Sequence, residues 1–501
     1  MRRFILVTAI LISLTAILSS CDGPEEESKK ESNKNSAEKV ESFIEKEMES
    51  ESANGPTVRV WVTTPEKSKL LSEEEQFRFG VGSGEISAPI TIHVDESVTY
   101  QQMDGFGAAM TDSSAWLIAN KLNLEQREKL MRDLFDHEQG IGISYMRLPM
   151  GASDFAHDFY TYNDKPAGEI DPKLKGFSIE HDKAYIIPAL KQAREINPDL
   201  KLMASPWSVP AWMKSSESLI TGYLKEEFYP SYANYFVKFI QGYEAEGVPM
   251  DAITLQNEPY YEPPGYPGMF MDATEQIEVI RNHLGPAFRD NGITTKIITW
   301  DHNWDHPEYP IQVLDDPEAN AFISGSAFHG YTGEVRNQQQ VHDAHPDKDI
   351  YFTESSGGEW ATDFGNNLKW DLQNLIIGST RYWSKVVLKW NLALDEDHGP
   401  KKGGCQDCRG FVTINSQSGE VTLNEEYYAF GHASKFVKSG AYRIETNQSE
   451  VIENVAFKNP DGSKVLIGLN SSTESQLFEV HFGDQKFTYT LPAGAVATFV
   501  W

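Results

Sequence analysis

The chain has 501 residues, with 74 Asp and Glu against 44 Lys and Arg and a formal charge of −30. Such a surface repels nucleic acid and anionic lipid headgroups, which excludes them as partners and favours neutral ones such as glycans. The length suits one large barrel plus a smaller domain, and 11 Trp, 21 Tyr and 26 Phe supply rings for a core and for stacking on the apolar faces of sugars.

At the N-terminus, Arg2 and Arg3 precede an apolar run from Phe4 to Leu18, too short and wrongly flanked for a spanning helix. The run closes on Leu18-Ser19-Ser20-Cys21, which resembles a bacterial lipobox. That resemblance implies a signal peptide over 1–20, lipidation of Cys21 and an exported lipoprotein of the cell envelope, which meets the membrane only through its anchor. A plain signal peptide is the alternative. Residues 21–56 are polar, nearly free of aromatics and charged in short runs, the composition of a disordered tether. Its early acidic run, Glu25-Glu26-Glu27, points to the outer face of the envelope.

β-Branched residues cluster or alternate at Val58–Val62 and Ile90–Val94, within 57–103. They do so again at Val451–Phe457, Lys464–Leu469, Leu477–Phe482, Phe487–Leu491 and Ala495–Val500, within 439–501, with turns at Asn459-Pro460-Asp461-Gly462 and Gly483-Asp484. These read as short antiparallel strands of one β-sandwich built from both chain termini.

Between them, over 104–438, strand-like runs alternate with helical patterns. The predicted strands are Gly105–Met110, Ile143–Pro149, Lys201–Ser205, Ala252–Asn257, Thr295–Thr299, Ser326–His329, Asp349–Thr353 and Val386–Asn391. Apolar residues recur at helical spacing over Ile179–Ile196, Tyr232–Ala245 and Thr274–Phe288, and Pro188 kinks or delays the first of these helices. Eight strands in series with intervening helices make an α/β fold, a (β/α)₈ TIM barrel.

Two carboxylates stand at the ends of predicted strands four and seven: Glu258, in Gln256-Asn257-Glu258-Pro259, and Glu354, in Thr353-Glu354-Ser355. In a barrel those ends share one mouth, so acids distant in sequence converge there. A retaining glycosidase needs two carboxyl groups about 5–5.5 Å apart, one protonated and one ionised, with burial and mutual repulsion separating their pKa values. Asn257 places an amide where a sugar 2-hydroxyl is held.

The chain resembles glycoside hydrolase family 30, the family of glucosylceramidases and β-1,6-glucanases. The resemblance lies in Asp104–Asp112, Tyr145–Met150, Ser205–Trp212, Gln256–Pro259, Thr353–Ser355 and Trp390–Leu394, in that order across the barrel. It implies a barrel with a side β-sandwich and a double-displacement mechanism without cofactor or metal, with Glu258 as acid/base and Glu354 as nucleophile. By matching position it implies sugar contacts from Asp154, Trp207 and Trp390. His329 and Tyr331 should flank the nucleophile, and Arg147 should pair with a catalytic carboxylate. Packing alone is the plainer reading for the two tryptophans, and an internal ion pair for Arg147. Asp112 is read as a cap or supporting residue. Ser355-Ser356-Gly357-Gly358 and the 395–409 loop depart from the lysosomal pattern, which favours a β-1,6-glucan or β-gluco-oligosaccharide over glucosylceramide, xylan or fucoside.

The cluster Asp301-His302-Asn303-Trp304-Asp305-His306 reads as a polar loop at the mouth rather than a metal site, because no regular ligand spacing appears. Cys405 and Cys408 lack the second pair that zinc requires, so they form a loop-tightening disulfide or remain thiols. A glycan-binding lipoprotein without catalysis is the competing class; it would have no need of both glutamates.

Overall fold

The computed structural model describes residues 55–81 and 88–501. The expected signal peptide, the lipidation at Cys21 and nearly all of the tether lie outside them. Eight parallel strands close a barrel: β1 Gly105–Ala109, β2 Tyr145–Pro149, β3 Lys201–Ser205, β4 Ala252–Thr254, β5 Lys296–Asn303, β6 Ile323–His329, β7 Asp349–Glu354 and β8 Ser384–Asn391. Period-two alternation turns Tyr145, Met203, Ala252, Ile298, Ala327, Tyr351, Val386 and Leu388 into the lumen, which they fill as one cluster. Gly107 marks where two strands come closest: a Cβ there would lie 2.0 Å from the Tyr145 carbonyl oxygen.

The floor of the barrel is ionic. Lys201 Nζ donates to Asp104 at 2.5 Å, and Lys385 Nζ bridges Asp104 and Asp349 at 3.3 and 3.1 Å. The mouth at the opposite end is left for chemistry.

Helices on the outside begin on side-chain caps. Thr111, not Asp112, caps Asp112–Asn120 by accepting from the Ser114 amide, and Asn123 with Gln126 forms a capping box on Leu124–Phe135. Asp112 instead accepts from His181, Tyr185 and the His157 amide, a supporting role. The helix over Ile186–Ile196 starts late, with Pro188 in its first turn, where a missing N–H costs nothing.

The second body joins both ends of the chain. Thr57–Thr63 pairs antiparallel with Val496–Val500, which continues through Lys464–Asn470, Ile452–Lys458 and Tyr442–Thr446. The 13-residue strand Ile90–Gln102 then bends the sheet over: one part pairs with Tyr442–Thr446 and its start with Gln476–Phe482. The latter pairing is parallel, which corrects the all-antiparallel expectation. Val58, Val60, Phe79, Ile92, Phe478 and Phe499 pack between the layers.

Candidate active site

Two strand ends differ from the sequence reading. β4 stops at Thr254, so Glu258 stands four residues beyond the strand, in a loop, with φ of +47°. β5 does not stop at Thr299; it carries Asp301, His302 and Asn303 as strand residues. Trp300 and Asp301 hold φ of +71° and +76°, and the register against β6 shifts there. This bulge rotates the Asp301 carboxylate into the barrel, and the left-handed backbone of a bulky Trp is strain of the sort stored at functional sites.

Glu354 ends β7. Its Oε1 accepts from the Tyr331 hydroxyl at 2.9 Å, and its Oε2 accepts from Arg147 Nη1. Arg147, on β2, is fully buried; its Nη2 donates to Asp301 Oδ2 at 2.8 Å and to Asn257 Oδ1 at 2.6 Å. Asp301 also accepts from Ser205, Thr254 and Thr353 at 2.6–2.7 Å, so one carboxylate ties β2, β3, β4, β6 and β7 together. His329, on β6, lies between the acids: Nε2 is 3.0 Å from Asp301 Oδ1 and Nδ1 is 3.3 Å from Glu258 Oε1. It contacts Glu258 directly and also lies close to Glu354, the expected nucleophile.

One carboxylate oxygen each of Glu258 and Glu354 and one ring nitrogen of His329 lie within 4.8 Å of one another. Both acids are largely buried, with side chains 14 and 7% exposed. Trp207 and Trp390 stack at 4.9 Å and 23°, with the Arg147 guanidinium 4.9 Å from the first ring and 5.6 Å from the second. They form a buried wall with Ala109 and Phe155, so packing and site are the same surface here. Asp154 closes the other side, pressed against Gly404, where a Cβ would sit 2.3 Å from the Asp154 Cβ. The Cys405–Cys408 disulfide fixes that loop, and the Cys405 amide donates to Asp154.

Charge is tightly arranged. Asp301 is held well below the usual carboxylate range: burial opposes this, but Arg147 and His329 outweigh it. His329 is raised to about 9, because the charges of Glu354, Asp301 and Glu258 overcome its burial. Burial lowers His302, 3.9 Å from Glu258, to about 4, which leaves it neutral at pH 7. Asp154 is raised to about 8 by burial and by the charges of Glu354 and Glu258.

The two glutamates titrate as a pair. Burial raises Glu354, and Glu258 is lowered because its His329 hydrogen bond, His302 and Arg147 outweigh burial. Taken alone, that ordering puts a shared proton on Glu354. The hydrogen bonds, which fix individual oxygens, set the other placement. Both Glu354 oxygens already accept from donors, one of them a guanidinium, whereas Glu258 Oε2 faces no donor among the described residues. A proton is accommodated on Glu258 Oε2, with Glu354 ionised.

Sequence reasoning missed Asp301 as the hub, reading it as a loop residue, and missed Tyr266, whose ring packs against the Trp207–Trp390 wall. Asp301 was legible only as an acid directly after an apolar run; Tyr266 carried no signal.

The sequence pattern of the glycosyl hydrolase family 30 TIM-barrel domain matches residues 103–437, and that of the family's beta-sandwich domain matches 440–499. An endo-1,6-beta-D-glucanase of Aspergillus fumigatus is 33% identical over 443 residues, 82% of this chain and 87% of that protein. The lysosomal acid glucosylceramidase of Mus musculus is 30% identical over 429 residues, covering 80% and 81%. Among solved structures, the endo-beta1,6-glucanase BT3312 superposes with a TM-score of 0.83 at 34% identity, covering 89% of this chain and 99% of that one.

Proposed function

Because this chain belongs to glycosyl hydrolase family 30, we propose that it cleaves β-1,6-linked glucan or β-gluco-oligosaccharides through a glucosyl intermediate on Glu354. The observation that carries this reading is the separation of the two acids. Oxygens within 4.8 Å leave no room for a water between acid and sugar, as inversion at about 6.5–9.5 Å requires, and fit the retaining spacing of about 5–5.5 Å.

In the first step Glu354 attacks the anomeric carbon, and Glu258 protonates the leaving oxygen as the glycosidic bond breaks. Arg147 and Tyr331 hold Glu354 ionised and aimed. Once the charge of Glu354 is lost to the ester, Glu258, which has given up its proton, no longer faces a like charge and stays ionised to act as base. It then takes a proton from water, which attacks the same carbon and releases Glu354. Asn257 gives its oxygen to Arg147, so its NH₂ is the group oriented toward a sugar hydroxyl. Asp154, protonated at neutral pH, donates a hydrogen bond to the same sugar; Trp207 and Trp390 back the ring.

Support for the glucan comes from relatives named as endo-1,6-beta-glucanases. Incubation with a linear β-1,6-glucan and sizing of the products should show gluco-oligosaccharides with the native chain and none with Glu354→Gln. Equal release by both would remove Glu354 as the nucleophile, and no release by either would remove the glucan. The glucosylceramidase relative motivates a second reading, separable by assaying glucosylceramide in detergent micelles.

We also propose that the protein is anchored in a bacterial envelope through Cys21, on the strength of Leu18-Ser19-Ser20-Cys21 alone. Labelled palmitate should enter the native chain and not Cys21→Ala; no label in either would leave a plain exported enzyme, and label in both would place the lipid elsewhere.

A further inference from the structure

Beside the candidate site, a second cavity of about 490 Å³ opens outside the barrel wall. Lys389 shows where it lies. Its neighbours on β8, Leu388 and Trp390, face inward, and Lys389 points out to Asp371, to which it donates at 2.8 and 3.0 Å. The cavity shares Tyr331 and Ser355 with the barrel mouth, and Tyr331 is the residue that donates to Glu354.

The charged groups lining it are matched except one. Asp371 takes Lys389, and Glu426 takes Arg409 through contacts of 2.8–3.2 Å. Glu425 is the surplus acid. It is 4% exposed, and its Oε1 has no hydrogen-bond partner among the described residues. Leaving such an atom unsatisfied is unfavourable, so an occupant that hydrogen-bonds it is favoured. At the rim the opposite anomaly occurs: Trp360 and Trp370 are 57 and 39% exposed. A phosphate would want an unmatched base, and a metal ion a second unmatched carboxylate; the lining offers neither. A hexopyranose has what both features want, hydroxyls for the buried carboxyl and an apolar face for the indoles.

We propose that this cavity is a saccharide subsite, holding a further sugar of the substrate chain on Trp360 and Trp370 with Glu425 as its buried hydrogen-bonding group. The proposal rests on the glycosidase reading above. A chain gripped here as well as at the mouth is cut with preference for longer substrates.

The test compares kcat/KM on 4-nitrophenyl β-glucoside with that on β-1,6-gluco-oligosaccharides of two to six units, for the native chain, Glu425→Leu, Glu425→Gln and Trp360→Ala. Glu425→Leu and Trp360→Ala should each lose about ten-fold on the longest oligosaccharides, the effect of one hydrogen bond or one ring contact, and stay within about two-fold on the aryl glucoside. Glu425→Gln, which keeps a donor and an acceptor, should recover most of the loss. Trp360 lies on the surface, so its variant reports even if Glu425→Leu does not fold. Equal losses on short and long substrates, or none on either, overturn the subsite. Failure of the native chain on every oligosaccharide while the aryl glucoside is cleaved removes the glucan reading, and the subsite with it.

Discussion

Arg147 carries a full charge with no solvent contact, and three oxygen acceptors hold it, Glu354 and Asp301 on strands and Asn257 in the loop after β4. Removing one partner of such a group leaves a buried charge under-compensated. Asp301→Ala should therefore destabilise the fold by about 3–5 kcal/mol, measured by urea unfolding, besides releasing His329 from its register. A loss below about 1 kcal/mol would mean that the hub is incidental, as for an exposed pair. Asp154 gives a pH signature. Its folded-state pKa, about 8, lies above the ordinary 3.8, so between those values the folded chain holds a proton that the unfolded chain releases. Stability from this group is complete at low pH and is lost as pH rises through about 8. Asp154→Asn should thus gain in Tm relative to the native chain between pH 5 and 9, and parallel Tm curves would contradict the buried, protonated carboxyl.

At the level of elements, all eight barrel strands could be read in the sequence because lumen and helix layer are both apolar, which leaves short Val/Ile/Leu-rich runs. The ends were less legible, and for one reason. On an ordinary sheet, polarity after an apolar run marks a loop; at a barrel mouth it marks the last strand residues, which face the site. Asp301-His302-Asn303 on β5 was misplaced on that account. The opposite error placed Glu258 on β4, because Leu255-Gln256 looks extended, although the backbone has already turned away. Tyr442–Thr446 escaped notice because its Arg and Glu interrupt the alternation. The 395–409 loop makes its own test: the disulfide holds the Cys405 amide on Asp154. Cys405→Ser with Cys408→Ser should raise KM several-fold and leave kcat within about two-fold, since the loop positions a sugar contact and no reacting atom. A fall in kcat at constant KM would place that loop in the chemistry instead.

Across the whole molecule, barrel and sandwich share a core. Trp61 packs on Phe436 at 4.4 Å, and His432, buried and neutral, bridges Thr63 and Thr498 at 2.8 and 2.9 Å, so the first and last strands among the described residues meet on one barrel helix. Val455, Phe457 and Ile467 of the sandwich belong to the same apolar cluster as the helix layer. Calorimetry should accordingly show one cooperative transition, and two resolved transitions would show that the domains are independent. This joint body holds Glu258 and Glu354 at a spacing that admits one sugar carbon between them and excludes an interposed water. The anomer formed first tests that most directly. Proton NMR during the opening minutes of aryl β-glucoside hydrolysis should show the β-hemiacetal before mutarotation; initial appearance of the α-anomer would contradict a glucosyl-Glu354 intermediate.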